Sequence, residues 1–175
     1  MSQTFKQKIR DYLTMIKFSH SIFALPFALS AMAMAWETRP VTAWTVIWII
    51  VAMVSARSAA MGFNRIVDAA IDAKNDRTAI REIPAGILSR KEALIFVGVS
   101  SLIFIFSAAM LSTLCLILAV PVLAVLLGYS YTKRFTRYCH LYLGFAIGLA
   151  PIGAWVAITG TLSVSVVFLS LALMT

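Results

Sequence analysis

At 175 residues, 61% of them hydrophobic, and with a mean hydropathy of +0.92, the chain is far more apolar than a soluble domain. Its formal net charge of +8 does not point to a nucleic-acid ligand, because the lysines and arginines cluster in short segments between apolar runs, the distribution that orients membrane proteins. Two cysteines, Cys115 in an apolar run and Cys139 at the edge of one, argue against a disulfide and supply too few thiolates for a metal site. A membrane-spanning helix needs about 20 mostly apolar residues, and several such runs follow one another. The expected fold is all-α: a polytopic transmembrane helical bundle with about five spans plus the start of a sixth.

Residues 1–17 carry Lys6, Lys8, Arg10 and Lys17 against the single acid Asp11, and Phe5, Ile9, Tyr12, Leu13 and Ile16 recur at helical spacing. This predicts an amphipathic helix on the membrane surface, followed by a transmembrane domain over 18–175. Basic residues before an apolar run also mimic a signal peptide, with Ala31, Ala33 and Ala35 resembling a cleavage site. The run 18–36 is long for that role and further spans follow at once, so it is read as a retained first span. It opens with Ser19, His20 and Ser21 and should kink at Pro26 unless neighbours satisfy the freed carbonyl. After the turn Glu37-Thr38-Arg39-Pro40, a second span runs from about Val41, past the interfacial Trp44 and Trp48, and continues through Asp72.

Residues 73–90 form the longest polar connection, with a turn marked by Pro84 and Gly86. Ser89 followed by Glu92 signals a capping box opening a third span over 90–110. A tight link at Ser112-Thr113 leads to a fourth span over 113–131, kinked or divided at Pro121. A second polar loop over 129–137 precedes a fifth span over 140–158, where Gly144 and Gly148 would permit close helix approach. Thr159-Gly160-Thr161 is a turn, and a sixth apolar run begins at Leu162. About 14 residues remain there, so the run is either a short re-entrant or surface helix or the beginning of a span in a longer protein. Nearly all basic residues lie in the N-terminal segment, the loop around 64–91 and the loop 133–137, which places these three together on the cytoplasmic side; the opposite side has only Arg39.

One polar island breaks this apolar pattern. Four of the seven acids (Asp68, Asp72, Asp76 and Glu82) fall close together at the end of the second span. Asn64, Asp68 and Asp72 are spaced i, i+4, i+8, which aims one amide and two carboxylates down one helix face. Such oxygens suit Mg²⁺, which is commonly held by one or two carboxylates together with substrate phosphates. Ionisable groups at a membrane helix end mark a function or are simply solvated there, neutralised by Arg65, Lys74 and Arg77; Asp76 and Glu82 read more simply as loop charges. Arg57 falls on the same stripe and deeper, either in a structural ion pair or facing a cavity where its fork holds an anion. Lys133, Arg134 and Arg137 lie on the same side, as a plain topogenic cluster or as phosphate ligands. Acids holding a cation beside bases holding phosphate oxygens, at the mouth of an apolar cavity, make a site for a lipid diphosphate.

These residues match a known pattern. Asn64-x-x-x-Asp68-x-x-x-Asp72, then Arg77-Thr78, Arg81 and Pro84-x-Gly86, resembles the first aspartate-rich motif of the UbiA superfamily of intramembrane aromatic prenyltransferases. The stretch from Ile16 to Ala28, which includes His20, is similar to the opening of the 4-hydroxybenzoate polyprenyltransferase branch. Tyr129-x-Tyr131-x-Lys133-Arg134-x-Thr136 resembles its loop between the fourth and fifth helices. The resemblance implies Mg²⁺-dependent transfer of a polyprenyl group from polyprenyl diphosphate to an aromatic acid such as 4-hydroxybenzoate, in ubiquinone or menaquinone biosynthesis. It implies a multi-pass protein of the inner membrane, with the N-terminus and active-site loops cytoplasmic. On this view Asn64, Asp68 and Asp72 are the catalytic metal ligands; Arg77, Arg81, Lys133 and Arg134 take the diphosphate; Arg57 takes the aromatic carboxylate; and Tyr129 and His20 complete the substrate-binding set.

Two departures stand out. Many members carry Asn-Asp where this chain has Asn64-Arg65, which lowers the acid count and leaves the spacing intact. The family's fold of about nine helices has a second aspartate-rich loop after its sixth helix, which these 175 residues do not contain. The chain is therefore expected to be the first five and a half helices of such an enzyme, inactive by itself. Two rivals are a CDP-alcohol phosphatidyltransferase, whose signature needs an Asp-Gly pair absent here, and half of a secondary transporter, whose ion sites lie near the midplane at broken helices.

Overall fold

The structure, a computed structural model, describes residues 5–17 and 25–174, without the side chains of Phe5 and Lys133. Its elements in these residues are helical: α1 (Phe5–Met15), α2 (Leu25–Trp36), α3 (Ala43–Asp72), the single turn α4 (Asp76–Ala79), α5 (Arg90–Leu111), α6 (Thr113–Phe135), α7 (Cys139–Thr159) and α8 (Val164–Met174). Four of them, α3, α5, α6 and α7, are long and apolar enough to cross a membrane. The expected first span is described only as the 12-residue α2, with Pro26 as its second residue; positions 18–24 of that span, His20 among them, lie outside the described residues.

Helix α3 is the axis of the bundle. Its 30 residues span about 45 Å at 1.5 Å per residue, against about 30 Å for a hydrocarbon core, so one end must project beyond the apolar layer. Small buried residues along it (Ala52, Ser55, Ala56, Ser58, Ala59 and Gly62) let neighbours approach closely. At Gly62 an added Cβ would come within 2.9 Å of Val97 Cγ2 on α5. Ser55 and Ser58 satisfy their hydroxyls on the carbonyls of Val51 and Val54. One core cluster joins α3 to α2, α7 and α8 through Ile49, Ala31, Met32, Trp155 and Val166; another joins it to α5 and α6 through Ala52, Ala56, Phe104, Ala108 and Ala119.

The capping box expected from the sequence is present. Ser89 and Glu92 form a reciprocal capping box at the start of α5. Ser112 both ends α5 and caps α6, accepting from Cys115 N. Gly86 (φ 72) and Gly160 (φ 71) occupy left-handed turns that a side chain would strain. Helix α1 packs over the α3 and α5 ends. Lys8 pairs with Glu92 at 2.7 Å, and this hydrogen bond and charge raise the ammonium pKa. Tyr12 stacks on Phe96 at 5.1 Å, and Met15 and Ile16 are buried with Leu88 and Ala93. Its outward side exposes Ile9 and Leu13, as an interfacial helix requires.

One expectation narrows and another needs correction. Pro121 does not divide the fourth span, because α6 is continuous through it to Phe135. The polar loop expected over 129–137 is mostly helix. Tyr129 to Phe135 are the last two turns of α6, and the apolar part ends only at Thr132. Lysine and arginine are favoured in a last turn by the helix dipole, and long basic side chains reach past an apolar boundary without breaking the helix.

Candidate active site at the end of helix α3

Asn64, Arg65, Asp68 and Asp72 occupy one face of the last turns of α3 and line one cleft of about 650 Å³. The chain beyond Asp72 turns back to close that cleft. Thr78, buried, donates to the Asp72 carbonyl at 3.0 Å, and Asn75 Oδ1 accepts from Arg77 N at 3.1 Å, which caps α4. Arg77, Thr78 and Arg81 are thereby turned towards the acids and line the same cleft, joined by Arg134 from α6 and Lys17 from the end of α1.

Asp68 and Asp72 are both buried, at 6% and 7% exposure, so neither is a solvated charge at a frayed helix end. Arg81 Nη1 pairs with Asp72 Oδ2 at 2.6 Å. Arg134 Nη2 donates to the Val67 carbonyl at 2.8 Å, pinning α6 to α3. Arg65, 7% exposed, donates from Nε to the Met15 carbonyl at 3.1 Å and ties α1 to α3. In all, five basic side chains and two carboxylates face the cleft. That excess of positive charge favours an anion, with any cation arriving beside it.

Two other expected site residues, Arg57 and Tyr129, are not among those lining this cleft. Arg57 is half-buried on α3, seven residues before Asn64 and so about 10 Å deeper along the axis. Its Nε is buried with no hydrogen-bond partner among the described residues. Tyr129 stacks on Tyr142 at 6.4 Å. The Lys133 side chain lies outside the described residues.

Comparison with known proteins identifies the family and the fold. The sequence profile of the UbiA prenyltransferase family matches residues 24–175. The chain belongs to the UbiA prenyltransferase family. A relative from Dechloromonas aromatica, named 4-hydroxybenzoate octaprenyltransferase, is 35% identical over 74% of this chain and 44% of its own length. The solved apo structure of a UbiA homologue from Aeropyrum pernix superposes with a TM-score of 0.78 at 35% identity, covering 89% of this chain and 60% of that one. A UbiA homologue from Archaeoglobus fulgidus, solved with DMAPP and Mg²⁺, shares the fold at a TM-score of 0.76 and 15% identity, covering 94% of this chain and 59% of that one. This UbiA-family chain thus spans about half the length of the proteins it matches.

The donor set fits a hard divalent cation. Asn64, Asp68 and Asp72 bring oxygens to one cleft, and among the described residues no group of three or more His, Cys, Asp or Glu side chains assembles. Oxygens of a bound anion would have to complete the coordination. Two cleft residues of this UbiA chain escaped the sequence reading of the site. Arg65 registered as a missing acid or a neutralising charge, and Lys17 only as part of a basic surface helix. Their placement depends on the docking of α1, a contact across 50 residues that no local spacing announces.

Proposed function

We propose that this chain carries the diphosphate-binding half of an Mg²⁺-dependent prenyltransferase, which moves a polyprenyl group from its diphosphate to an aromatic acid such as 4-hydroxybenzoate in quinone biosynthesis. One observation carries the reading: a single cleft at the end of a membrane helix gathers Asn64, Asp68 and Asp72 with Arg77, Arg81 and Arg134. The name of the Dechloromonas relative and the ligands of the Archaeoglobus fold neighbour support it.

Asn64, Asp68 and Asp72 would hold Mg²⁺, which would supply positive charge to a diphosphate leaving group. Arg77 and Arg81, with Lys133 and Arg134 from α6, grip phosphate oxygens and neutralise the charge that grows as the allylic C–O bond breaks. The prenyl chain runs into the apolar bundle, where exclusion of water protects the allylic cation from hydrolysis. Arg57 takes the acceptor carboxylate. Its fork suits that group, and it lies on the same stripe of α3, about 10 Å deeper along the axis than Asn64. Diphosphate leaves, the ring carbon attacks the allylic cation left behind, and the ring then loses a proton, which the released diphosphate accepts. Tyr129 and His20 complete the substrate-binding set. The N-terminus and the cleft face the cytoplasm, on the side of the basic segments. A half-transporter is disfavoured, because α3 is unbroken from Ala43 to Asp72 and its acids lie at its end.

The test uses membranes expressing the gene's full reading frame, assayed for prenylation of 4-hydroxybenzoate. Asp68→Ala and Asp72→Ala are each expected to lower kcat by about 10²-fold or more, the scale for losing a group that stabilises developing charge. Chelation of divalent ions with EDTA should abolish turnover and added Mg²⁺ restore it. Undiminished activity in either variant, or turnover in EDTA, overturns the assignment.

A further inference from the structure

Lys17 is the only non-glycine residue with positive φ among the described residues, at 47°. Lysine does not visit the left-handed region routinely, and such outliers persist only where the surroundings over-determine them. Here they do. Immediately before it, Met15 and Ile16 are 0% and 4% exposed, locked against Leu88 and Ala93. The Met15 carbonyl is held by Arg65 Nε, and Lys17 N donates to the Thr14 carbonyl at 3.0 Å. The turn thus carries the chain in one step from a buried anchor to an exposed lysine that lines the acid cleft.

The other cations of the cleft are mostly engaged. Arg65 Nε, Arg81 Nη1 and Arg134 Nη2 each bond a protein oxygen. For the side-chain heads of Lys17 and Arg77 there is no partner among the described residues. Arg77 belongs to the polar island, whereas Lys17 comes from a different element, on the surface helix.

We propose that Lys17 is a further diphosphate-binding residue, presented to the cleft by the left-handed turn at the end of α1 and positioned there by Arg65. Its ammonium donates to a phosphate oxygen from the end of α1, so α1 contributes to the substrate site as well as acting as a surface anchor. The proposal rests on the prenyltransferase reading and adds a residue to it.

The test again uses the full reading frame, now purified into nanodiscs, with two readouts: equilibrium binding of inorganic diphosphate with Mg²⁺, and KM for each substrate. Lys17→Gln is expected to weaken diphosphate binding and to raise KM for prenyl diphosphate by about 10-fold or more, the usual range for a lost charge-assisted hydrogen bond. KM for the aromatic acid should stay within about 2-fold. Lys17→Gly relaxes the backbone while deleting the amine, so it should fold at least as well and lose the same affinity; Lys17→Arg should recover most of it. Wild-type diphosphate affinity in Lys17→Gln or Lys17→Gly overturns the role of Lys17 and leaves the enzyme reading intact. A wild-type protein that neither binds diphosphate nor transfers a prenyl group overturns both.

Discussion

At the scale of single residues, the ion pair between Arg81 and Asp72 should couple the two proposed ligands, the cation and the diphosphate. Asp72 is a proposed metal ligand, yet one of its oxygens is taken by Arg81 at 2.6 Å, in a pair whose side chains are 30% and 9% exposed. A divalent cation approaching alone must displace a guanidinium and enter a cleft already rich in positive charge. A diphosphate offers Arg81 a better partner and releases the Asp72 oxygen, so the anion should strengthen metal binding, and by linkage the metal should strengthen anion binding. Arg81→Gln therefore has opposite effects on the two. Mn²⁺ binding without diphosphate, followed by electron paramagnetic resonance, should tighten by about 10-fold, while KM for prenyl diphosphate rises by at least as much. Unchanged Mn²⁺ affinity would mean that the pair does not control access to Asp72.

At the scale of helices, the glycine pair of α7 works as its spacing suggested. A Cβ on Gly144 would lie 2.6 Å from the Met174 carbonyl oxygen, and one on Gly148 3.2 Å from that of Ser170, whereas Gly153 has nothing within 4 Å. Gly144→Ala pushes against backbone that cannot step aside and should cost about 1–3 kcal/mol, the usual range for overpacking. Gly153→Ala should be neutral or slightly stabilising, since alanine is the better helix former. Thermal unfolding of the two variants in the same detergent, with a lower Tm for Gly144→Ala alone, checks this. Apolar runs, caps and small-residue spacing were legible in the sequence because each is a local signal. The end of α6 was misread because Lys133 and Arg134 look like a loop to a hydropathy scale, which registers solvation and not backbone hydrogen bonding. The site was legible in part for the same reason. Asn64, Asp68, Asp72, Arg77 and Arg81 declare themselves by helical spacing and closeness in sequence, whereas Arg65 and Lys17 acquire their places only when α1 folds back across α3.

At the scale of the whole molecule, helix connectivity and charge give one orientation. The one-residue link at Ser112 leaves α6 no course but back across the membrane beside α5, and the turn at Gly160 likewise returns the chain after α7. The segments after α3 and after α6 therefore share one end of the bundle, and the links at Ser112 and Gly160 share the other. The cleft independently requires the first grouping, because Lys17, the 64–81 region and Arg134 all line it. The basic residues concentrate at that same end, so the cleft should face the cytoplasm. Single cysteines at Arg10, Asp76, Arg137 and Arg39, in a background with Cys115 and Cys139 changed to serine, test this with a membrane-impermeant thiol reagent. In inside-out vesicles the first three should label and the fourth should not; in right-side-out vesicles the pattern should reverse. Labelling of positions 10 and 76 from opposite faces would break the cleft apart, since no single-sided site could then contain both the α1 turn and the end of α3.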